Sequence, residues 1–156
     1  MSAERPFLAT FTNKIDAKGR ISVPAKYREI LEAQGSRALY CRASFVAPSI
    51  VAGGSSWISR LTEMVEGHDP SSEMHDDFAY SLLGETIELT FDPEGRVALP
   101  AELIAHAKLS ETGSFVGLGG HFEIWEPRAL QVRLVQARRA ASERRGLLRT
   151  KIGGTA

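Results

Sequence analysis

Apolar and polar residues alternate near the start of the chain, in the segment 7–15 ("FLATFTNKI"). The apolar positions of this alternation are Phe7, Ala9, Phe11 and Ile15. A period of two residues places successive side chains on opposite faces and predicts a β-strand. After the interruption "DAKGR", the segment "RISV" resumes the strand with Ile21 and Val23 pointing inward.

After this strand, the spacing of the apolar residues changes from every second residue to the spacing typical of a helix. Pro24 ends the strand and suits the first turn of a helix, and Gly35 is a natural stop. Between them, Tyr27, Ile30, Leu31 and Gln34 recur at helical spacing. A further strand is predicted over 37–45 and a loop over 47–56 ("APSIVAGGSS").

Two helices and a linker are predicted for the middle of the chain. The segment 55–65 places Trp57, Leu61 and either Met64 or Val65 on one face. The segment 66–72 ("EGHDPSS") is typical of a linker. The segment 73–83 predicts a second helix whose apolar face holds Met74, Phe78 and Leu82.

A ten-residue phrase occurs twice, as "DAKGRISVPA" at 16–25 and as "DPEGRVALPA" at 92–101, and five of its positions are identical. The same plan follows the second copy: strand, turn, strand, a helix opened by Pro100, and two short strands around "GLGG". A helix over 126–145 then has Leu130, Leu134, Ala137 and Ala141 on one stripe. An internal repeat of this kind predicts two equivalent structural units.

The repeat predicts how the chain is organised. We expect a first repeat over 1–66, a linker and helix over 67–84, a second repeat over 85–136, and a basic helix and tail over 137–156. The two repeats are expected to share one core, because 156 residues suit one ordinary domain or two small halves.

The two copies of the turn have Asp, Gly and Arg at the same positions. Asp16 and Gly19, like Asp92 and Gly95, suit a tight turn, since Asp can accept backbone N–H groups and Gly tolerates positive φ. Each turn ends in an arginine, Arg20 or Arg96, which no turn requires. Each arginine either pairs with the Asp four residues earlier or reaches a partner, for which a phosphate or a guanine edge is the best match.

The doubled Asp-x-x-Gly-Arg motif, followed by two apolar positions, Pro and a helix, resembles the MraZ family. This resemblance extends from about Phe7 to about residue 136 and includes "GLGGHFEIW". It implies an α+β fold in which tandem β-turn-β-α-β-β-α repeats interleave into a swapped-hairpin β-barrel of the AbrB-like type, with a C-terminal helix. It also implies a ring of identical subunits.

The same resemblance implies a function: transcriptional regulation of the division and cell-wall gene cluster by binding to double-stranded promoter DNA. The main DNA contact then falls on Lys18 and Arg20, with Asp16 and Gly19 shaping the turn. In the second copy Glu94 replaces the lysine, so Arg96 is expected to serve packing more than DNA. Where the family often begins Phe-Arg-Gly, this chain has Phe7-Leu8-Ala9, and Arg5 is the nearest basic residue.

The charge distribution supports a polyanionic partner, although the net charge is zero. Residues 1–28 hold six Lys or Arg and two acids, whereas 58–92 hold nine acids and one Arg. Residues 128–151 hold eight Lys or Arg and one Glu. Basic residues that cluster around one turn and one helix start suit phosphate contacts. The candidates near the first turn are Arg5, Lys14, Lys18, Arg20, Lys26 and Arg28.

No pattern in the sequence predicts an enzyme, a metal site or a cofactor. The four histidines lack metal-ligand spacing, and neither a nucleophile elbow nor a phosphate loop is present. The absence of an apolar run of about 18 residues or of a secretory signal, together with a single cysteine, suggests the cytoplasm. Two non-enzymatic alternatives are an AbrB-like antitoxin and a structural ring protein without a DNA role.

Overall fold

The fold is described from a computed structural model covering residues 4–148. The strands are β1 (Thr10–Lys14), β2 (Arg20–Ser22), β3 (Ala38–Ala43), β4 (Ser49–Gly53), β5 (Ile87–Thr90), β6 (Arg96–Ala98), β7 (Thr112–Gly117) and β8 (Phe122–Trp125). The helices are α1 (Ala25–Ala33), α2 (Ser55–Glu66), α3 (Glu73–Phe78), α4 (Ala101–His106) and α5 (Pro127–Glu143), and a π-helix spans Ala79–Gly84. The α+β class expected from the sequence is therefore confirmed.

The strands of the two sequence repeats interleave. One antiparallel sheet has the order β1-β7-β8-β4-β3-β5, and β2 pairs with β6 in a separate two-stranded ribbon. Four of these pairings, β1 with β7, β2 with β6, β3 with β5 and β4 with β8, join one repeat to the other. Within residues 4–148, the end strands β1 and β5 do not pair, so the six-stranded sheet is open.

The ribbon places the two repeated turns side by side. Ile21 lies opposite Val97, and both side chains are buried, whereas Arg20 and Arg96 lie on the outer face of the ribbon. Two backbone hydrogen bonds tie each turn to the other copy: Val23 N–H donates to Gly95 O (3.1 Å) and Leu99 N–H donates to Gly19 O (2.9 Å). Neither turn can therefore be held in place without the other.

The main core lies between the sheet, the ribbon and α1. It is aliphatic and aromatic, and its largest fully buried side chains include Phe7, Ile21, Tyr27, Leu31, Leu39, Ile50, Phe115, Phe122 and Ile124. Removing this much apolar surface from water is the main stabilising contribution to such a fold.

The loop predicted for 47–56 is wrong, because Ser49–Gly53 forms β4, in which every residue is buried. This strand lies inside the sheet between β8 and β3. A strand that is buried on both faces shows no alternation, and small residues replace branched ones where packing is close. At Gly53 a Cβ would lie 2.8 Å from the Cβ of Trp57, so no larger side chain fits.

The first strand is shorter than the alternation predicts, because the backbone changes direction at Ala9. Ala9 has φ of 69°, in the left-handed region that disfavours residues with a Cβ, and β1 begins at Thr10. Phe7 instead forms an isolated bridge with Gly119. The predicted apolar position of Phe7 is correct, since its side chain is fully buried.

The two predicted middle helices are confirmed, and the predicted apolar face is correct for the first but not for the second. In α2 the buried residues are Trp57, Leu61 and Val65, whereas Met64 is exposed. The helix predicted over 73–83 is α3 continued by the π-helix, and Met74 on its expected apolar face is 55% exposed. None of the helices in the described part of the chain is long and apolar enough to cross a membrane.

The chain divides into two compact units, residues 1–126 and 127–156. The first contains both repeated turns and all eight strands. The second contains the predicted C-terminal helix, observed as α5, which carries Arg128, Arg133, Arg138 and Arg139. The last part of the predicted basic tail, residues 149–156, lies outside the described residues.

Cys41 is a buried residue of β3, and burial raises the pKa of its thiol to about 12. Since the thiolate is the nucleophile, we expect no modification of Cys41 by iodoacetamide at pH 7 while the protein stays folded. Mass spectrometry with and without urea measures this difference. Equal labelling in native buffer and in urea would contradict the buried position.

Candidate nucleic-acid interface

The first repeated turn is built around the carboxylate of Asp16. Its Oδ1 accepts the backbone N–H groups of Lys18 (3.0 Å) and Arg20 (2.9 Å). Its Oδ2 accepts the Nε–H of Arg20 at 2.6 Å. The backbone closes the turn, since Gly19 N–H donates to Asp16 O and Asp16 N–H donates to Arg20 O, both at 3.0 Å. Gly19 has φ of 79°, which explains the glycine at this position.

The second turn repeats this geometry. Asp92 Oδ1 accepts the N–H groups of Glu94 and Arg96 at 2.9 Å, and its Oδ2 accepts Arg96 Nε–H at 2.8 Å. Gly95 has φ of 80°. Of the two roles that the sequence left open for the arginines, pairing with the Asp four residues earlier is therefore confirmed in both copies.

The two arginines differ in what surrounds their terminal nitrogens. Arg96 Nη1 lies 3.8 Å from Asp16 Oδ2, and its Nη2 lies 3.4 Å from Glu94 Oε2, so three carboxylates surround Arg96. Arg20 donates its side-chain hydrogen bond through Nε, and within residues 4–148 its Nη1 and Nη2 donate no hydrogen bond. The first turn therefore presents an oriented guanidinium with two nitrogens available, whereas the second turn does not.

The other basic candidates divide into exposed and packed residues. Lys14 at the end of β1, Lys18 in the turn and Lys26 in the first turn of α1 are exposed. Arg28 is half-buried, and its Nε–H donates to Val23 O at 3.0 Å. Its guanidinium also lies so close to Gly95 that a Cβ there would be 2.6 Å from Nη1. Arg28 therefore contacts Val23, which follows the first turn, and Gly95 of the second turn.

Arg5 lies beside α1, where its Nη2 is 3.3 Å from Glu29 Oε2. More than half of each side chain in this pair is exposed. Such an exposed ion pair contributes little free energy to stability, so another anion can replace Glu29 as the partner of the guanidinium.

Asn13 supports the first turn but was not predicted from the sequence. Its Nδ2–H donates to Ser22 O at 2.7 Å, which ties β1 to the ribbon strand that carries Arg20. Only its polar side chain within an alternating strand could have suggested this role. Within residues 4–148 no cluster of His, Cys, Asp or Glu could hold a metal ion.

The hydrogen bonds in both turns lower the pKa of their aspartates. For Asp16 and Asp92 the largest cause is the backbone N–H of Arg20 or Arg96, and the guanidinium adds to it. A carboxyl whose pKa is lower in the folded protein than in the unfolded chain stabilises the fold at pH values above its ordinary pKa of 3.8. This stabilisation is lost as the pH falls through the pKa of the folded state.

We therefore expect Asp92→Asn to be less stable than wild type at pH 7, with a difference that shrinks below about pH 3.8. Asp16→Asn should behave in the same way. Urea unfolding followed by circular dichroism at several pH values measures this difference. A gap that stays constant down to pH 2.5 would show that the charge of the carboxylate does not support the turn.

Comparison with known proteins gives consistent matches over most of the chain. A family model described as "MraZ protein, putative antitoxin-like" matches residues 82–149. The chain is 40% identical to "Transcriptional regulator MraZ" of Xanthobacter autotrophicus over 150 residues, which is 96% of this chain and 93% of that protein. It is 43% identical to the protein of the same name from Rickettsia bellii over 144 residues, 92% of this chain and 96% of that one.

A third relative, "Transcriptional regulator MraZ" of Azorhizobium caulinodans, is 41% identical over 132 residues, covering 85% of this chain and 84% of that protein. The first two of these alignments are long enough that both must include the two repeated turns. Identity at this level over nearly the whole length does not arise from a shared motif alone. The chain belongs to the MraZ family.

Proposed function

We propose that this protein is a sequence-specific, DNA-binding transcriptional regulator of the division and cell-wall gene cluster, and that it binds tandem promoter repeats as a homo-oligomeric ring. The names of its relatives support a role in transcription. We further propose a location in the cytoplasm, associated with the nucleoid, and no need for a cofactor. The swapped-hairpin barrel of AbrB-like proteins forms part of this proposal. The interleaving of the two repeats supports it, whereas the six-stranded sheet of residues 4–148 is open.

The observation that carries the proposal is the difference between Arg20 and Arg96. Asp16 binds the Nε–H of Arg20, and within residues 4–148 no hydrogen bond occupies the N–H donors of its two terminal nitrogens. A guanidinium held in this way matches the O6 and N7 acceptors of guanine or two oxygens of a phosphate. Because its orientation is already set, little side-chain entropy is lost on binding.

The exposed lysines supply the complementary phosphate contacts. Lys14, Lys18 and Lys26 belong to a strand end, a turn and a helix start that the ribbon holds together. Phosphate contacts of this kind position a protein on the duplex, whereas contacts with base edges select the sequence. We therefore propose that Arg20 reads the base edges and that the three lysines contact the phosphates of the DNA backbone. Arg5 is a further phosphate contact, and Asp16 and Gly19 hold the turn in shape.

The matched variants Arg20→Ala and Arg96→Ala test this assignment. Arg20→Ala is expected to lose about 1–3 kcal/mol of DNA-binding free energy per engaged subunit and to stay folded. Arg96→Ala leaves Asp16, Asp92 and Glu94 without their shared cation, so it is expected to lower the unfolding temperature more than the DNA affinity. Filter binding on the DNA upstream of the protein's own gene, together with thermal unfolding, measures both quantities.

Two outcomes would contradict the proposal. Wild-type protein that binds this DNA no more tightly than unrelated DNA would exclude sequence-specific regulation. Equal DNA defects in the two arginine variants, with intact stability, would show that both turns contact DNA.

An antitoxin is the second candidate function, because the description of the matching family model includes that term. An antitoxin needs a surface for its toxin as well as a DNA contact. Co-purification of a stoichiometric second protein from the native host would favour this function. A protein that is isolated alone and binds its own promoter DNA would favour the regulator.

A further inference from the structure

Arg42 is a buried arginine that the proposed DNA contact does not use. It lies in β3 opposite Val51 of β4, and only 8% of the residue is exposed. Its Nε is buried and has no hydrogen-bond partner among the described residues. Its Nη1 makes one long hydrogen bond, 3.4 Å, to Ala43 O. Buried charged groups are normally paired, so an arginine in this state requires an explanation.

The guanidinium of Arg42 is held between two aromatic rings. Its central carbon lies 5.5 Å from the ring centre of Phe45 and 6.0 Å from that of Trp57. The His121 ring stacks on Trp57 at 6.1 Å. Burial keeps the pKa of His121 below its usual range, so this imidazole is neutral at pH 7. Within residues 4–148, Arg42 therefore contacts aromatic rings and forms no direct ion pair.

A cleft of about 180 Å³ opens onto this arginine. Glu123 also lines it, but its Oε1 accepts Trp125 Nε1–H at 2.8 Å and Ser49 Oγ–H at 3.4 Å. No carboxylate within residues 4–148 lies within 4 Å of the Arg42 nitrogens. Glu85 and Glu123 both attract the charge of Arg42, but neither carboxylate forms an ion pair with it.

The mouth of the cleft is apolar and exposed. Phe45 is 66% exposed and Val46 is 83% exposed, and both line the cleft. An arginine among aromatic and aliphatic side chains is the composition found at the centre of protein interfaces. A free small anion would gain nothing from this apolar rim, whereas a carboxylate carried on a protein surface would cover it.

The chain itself carries a surface of matching chemistry. In α3 and the π-helix, the acids Glu73, Asp76 and Asp77 lie beside the exposed apolar residues Met74 (55%) and Tyr80 (78%). This surface differs from the Arg42 cleft. A contact between two different surfaces of identical subunits is head-to-tail, and such contacts form a ring when the rotation between neighbouring subunits closes.

We propose that the Arg42 cleft receives a carboxylate side chain from the acidic segment 73–77 of a second copy of this chain, with Phe45 and Val46 packing around it. The proposal rests on the ring assembly of the proposed function and names the surfaces that build it. Arg42 donates the N–H groups of its terminal nitrogens to the incoming carboxylate, which pairs the buried charge. Phe45 and Val46 are then removed from water.

Variants of Arg42 test the contact through the concentration dependence of assembly. Analytical ultracentrifugation of Arg42→Gln is expected to require at least about tenfold more protein for half-assembly than wild type. Arg37→Gln is the matched control, since Arg37 is an exposed arginine one residue before β3. Arg42→Met is a second variant that keeps the length of the side chain and removes the buried charge. It should fold and still assemble poorly.

A double-mutant cycle identifies the occupant. Glu73→Gln/Asp76→Asn/Asp77→Asn should weaken assembly to the same degree as Arg42→Gln, and the combined variant should be no worse than either. Additive effects, or acid variants that assemble like wild type, would overturn the proposal. Folded Arg42→Met that assembles normally would overturn it as well, as would acetate binding at Arg42 without any change in assembly.

The inference and the proposed function fail in different ways. Binding of each variant to a duplex with one recognition element measures the DNA contact apart from assembly. Wild-type protein that assembles through Arg42 but binds no specific DNA would contradict the proposed function alone. If the wild-type protein binds specific DNA, and Arg42→Gln and Arg42→Met assemble like wild type, the inference alone is contradicted.

Discussion

DNA that carries four copies of the recognition element is expected to bind the wild-type protein about 10²–10⁴-fold more tightly than DNA with one copy. One subunit offers few basic residues at its first turn, so it is expected to neutralise only a few phosphates and to bind weakly. The proposed ring would present the same turn repeatedly. Once one subunit is bound, its neighbours act at high effective concentration, and affinity rises without any new type of contact.

The geometry of a ring also constrains the operator. Successive subunits are related by rotation in one sense, so neighbouring turns meet the duplex in the same orientation. The elements should therefore be direct repeats, spaced by about one helical turn or 10 bp. A straight duplex reaches more than two neighbours only when the ring flexes or opens.

Titration with DNA of one, two, three and four elements measures the effect of valency. Insertion of five base pairs between two elements rotates them to opposite sides of the duplex and should abolish the gain from the second. An insertion of ten base pairs is the matched control, since it preserves the face of the helix. A single element that binds as tightly as four, or a five-base-pair insertion without effect, would contradict the multivalent ring.

The repeated phrase and the alternation around it were sufficient to predict most elements of the fold. The turns, α1 and the hairpin of β7 and β8 follow from Pro, Gly and apolar spacing, which act locally. The position of β4 did not follow, because every one of its residues is buried and Ser, Ala and Gly stand beside its two branched residues. A central strand of this kind has no periodicity that separates it from a loop.

The pairing of the two turns could not be predicted, since it depends on contacts between residues far apart in sequence. The sequence suggested that Arg20 and Arg96 had diverged, because Glu94 occupies the position of Lys18. The structure adds that Arg96 also contacts Asp16 of the first copy, at 3.8 Å. Arg42 was missed altogether, because an arginine in an apolar strand carries no signal of its burial.

The core contains one side chain whose loss should have the largest effect on stability. Tyr27 of α1 is fully buried and contacts four phenylalanine rings, at centroid distances of 5.3 Å (Phe7), 5.5 Å (Phe11), 6.2 Å (Phe115) and 4.8 Å (Phe122). These rings come from segments at both ends of the first compact unit. Tyr27 therefore joins the N-terminal segment, α1 and the β7–β8 hairpin.

The hydroxyl of Tyr27 has a separate role. It donates to Ala9 O at 2.8 Å, and burial raises its pKa to about 12, so it remains a donor at neutral pH. Ala9 O also accepts Gly117 N–H at 2.9 Å, and Ala9 is the residue held at φ of 69°. The family's Phe-Arg-Gly phrase has glycine at this position, which accepts that conformation without strain.

Three variants separate these contributions. Tyr27→Ala is expected to lower the free energy of unfolding by about 3–5 kcal/mol, because it removes a large buried ring and leaves a cavity. Tyr27→Phe should cost only about 0.5–1.5 kcal/mol, since Ala9 O keeps its hydrogen bond from Gly117. Ala9→Gly should stabilise the fold by roughly 1 kcal/mol or less, because relief of the left-handed strain outweighs the added freedom of the unfolded chain. Urea unfolding of all three at one protein concentration measures these differences. A Tyr27→Phe variant as unstable as Tyr27→Ala would show that the hydroxyl, and not the packing of the ring, holds the N-terminal segment on the core.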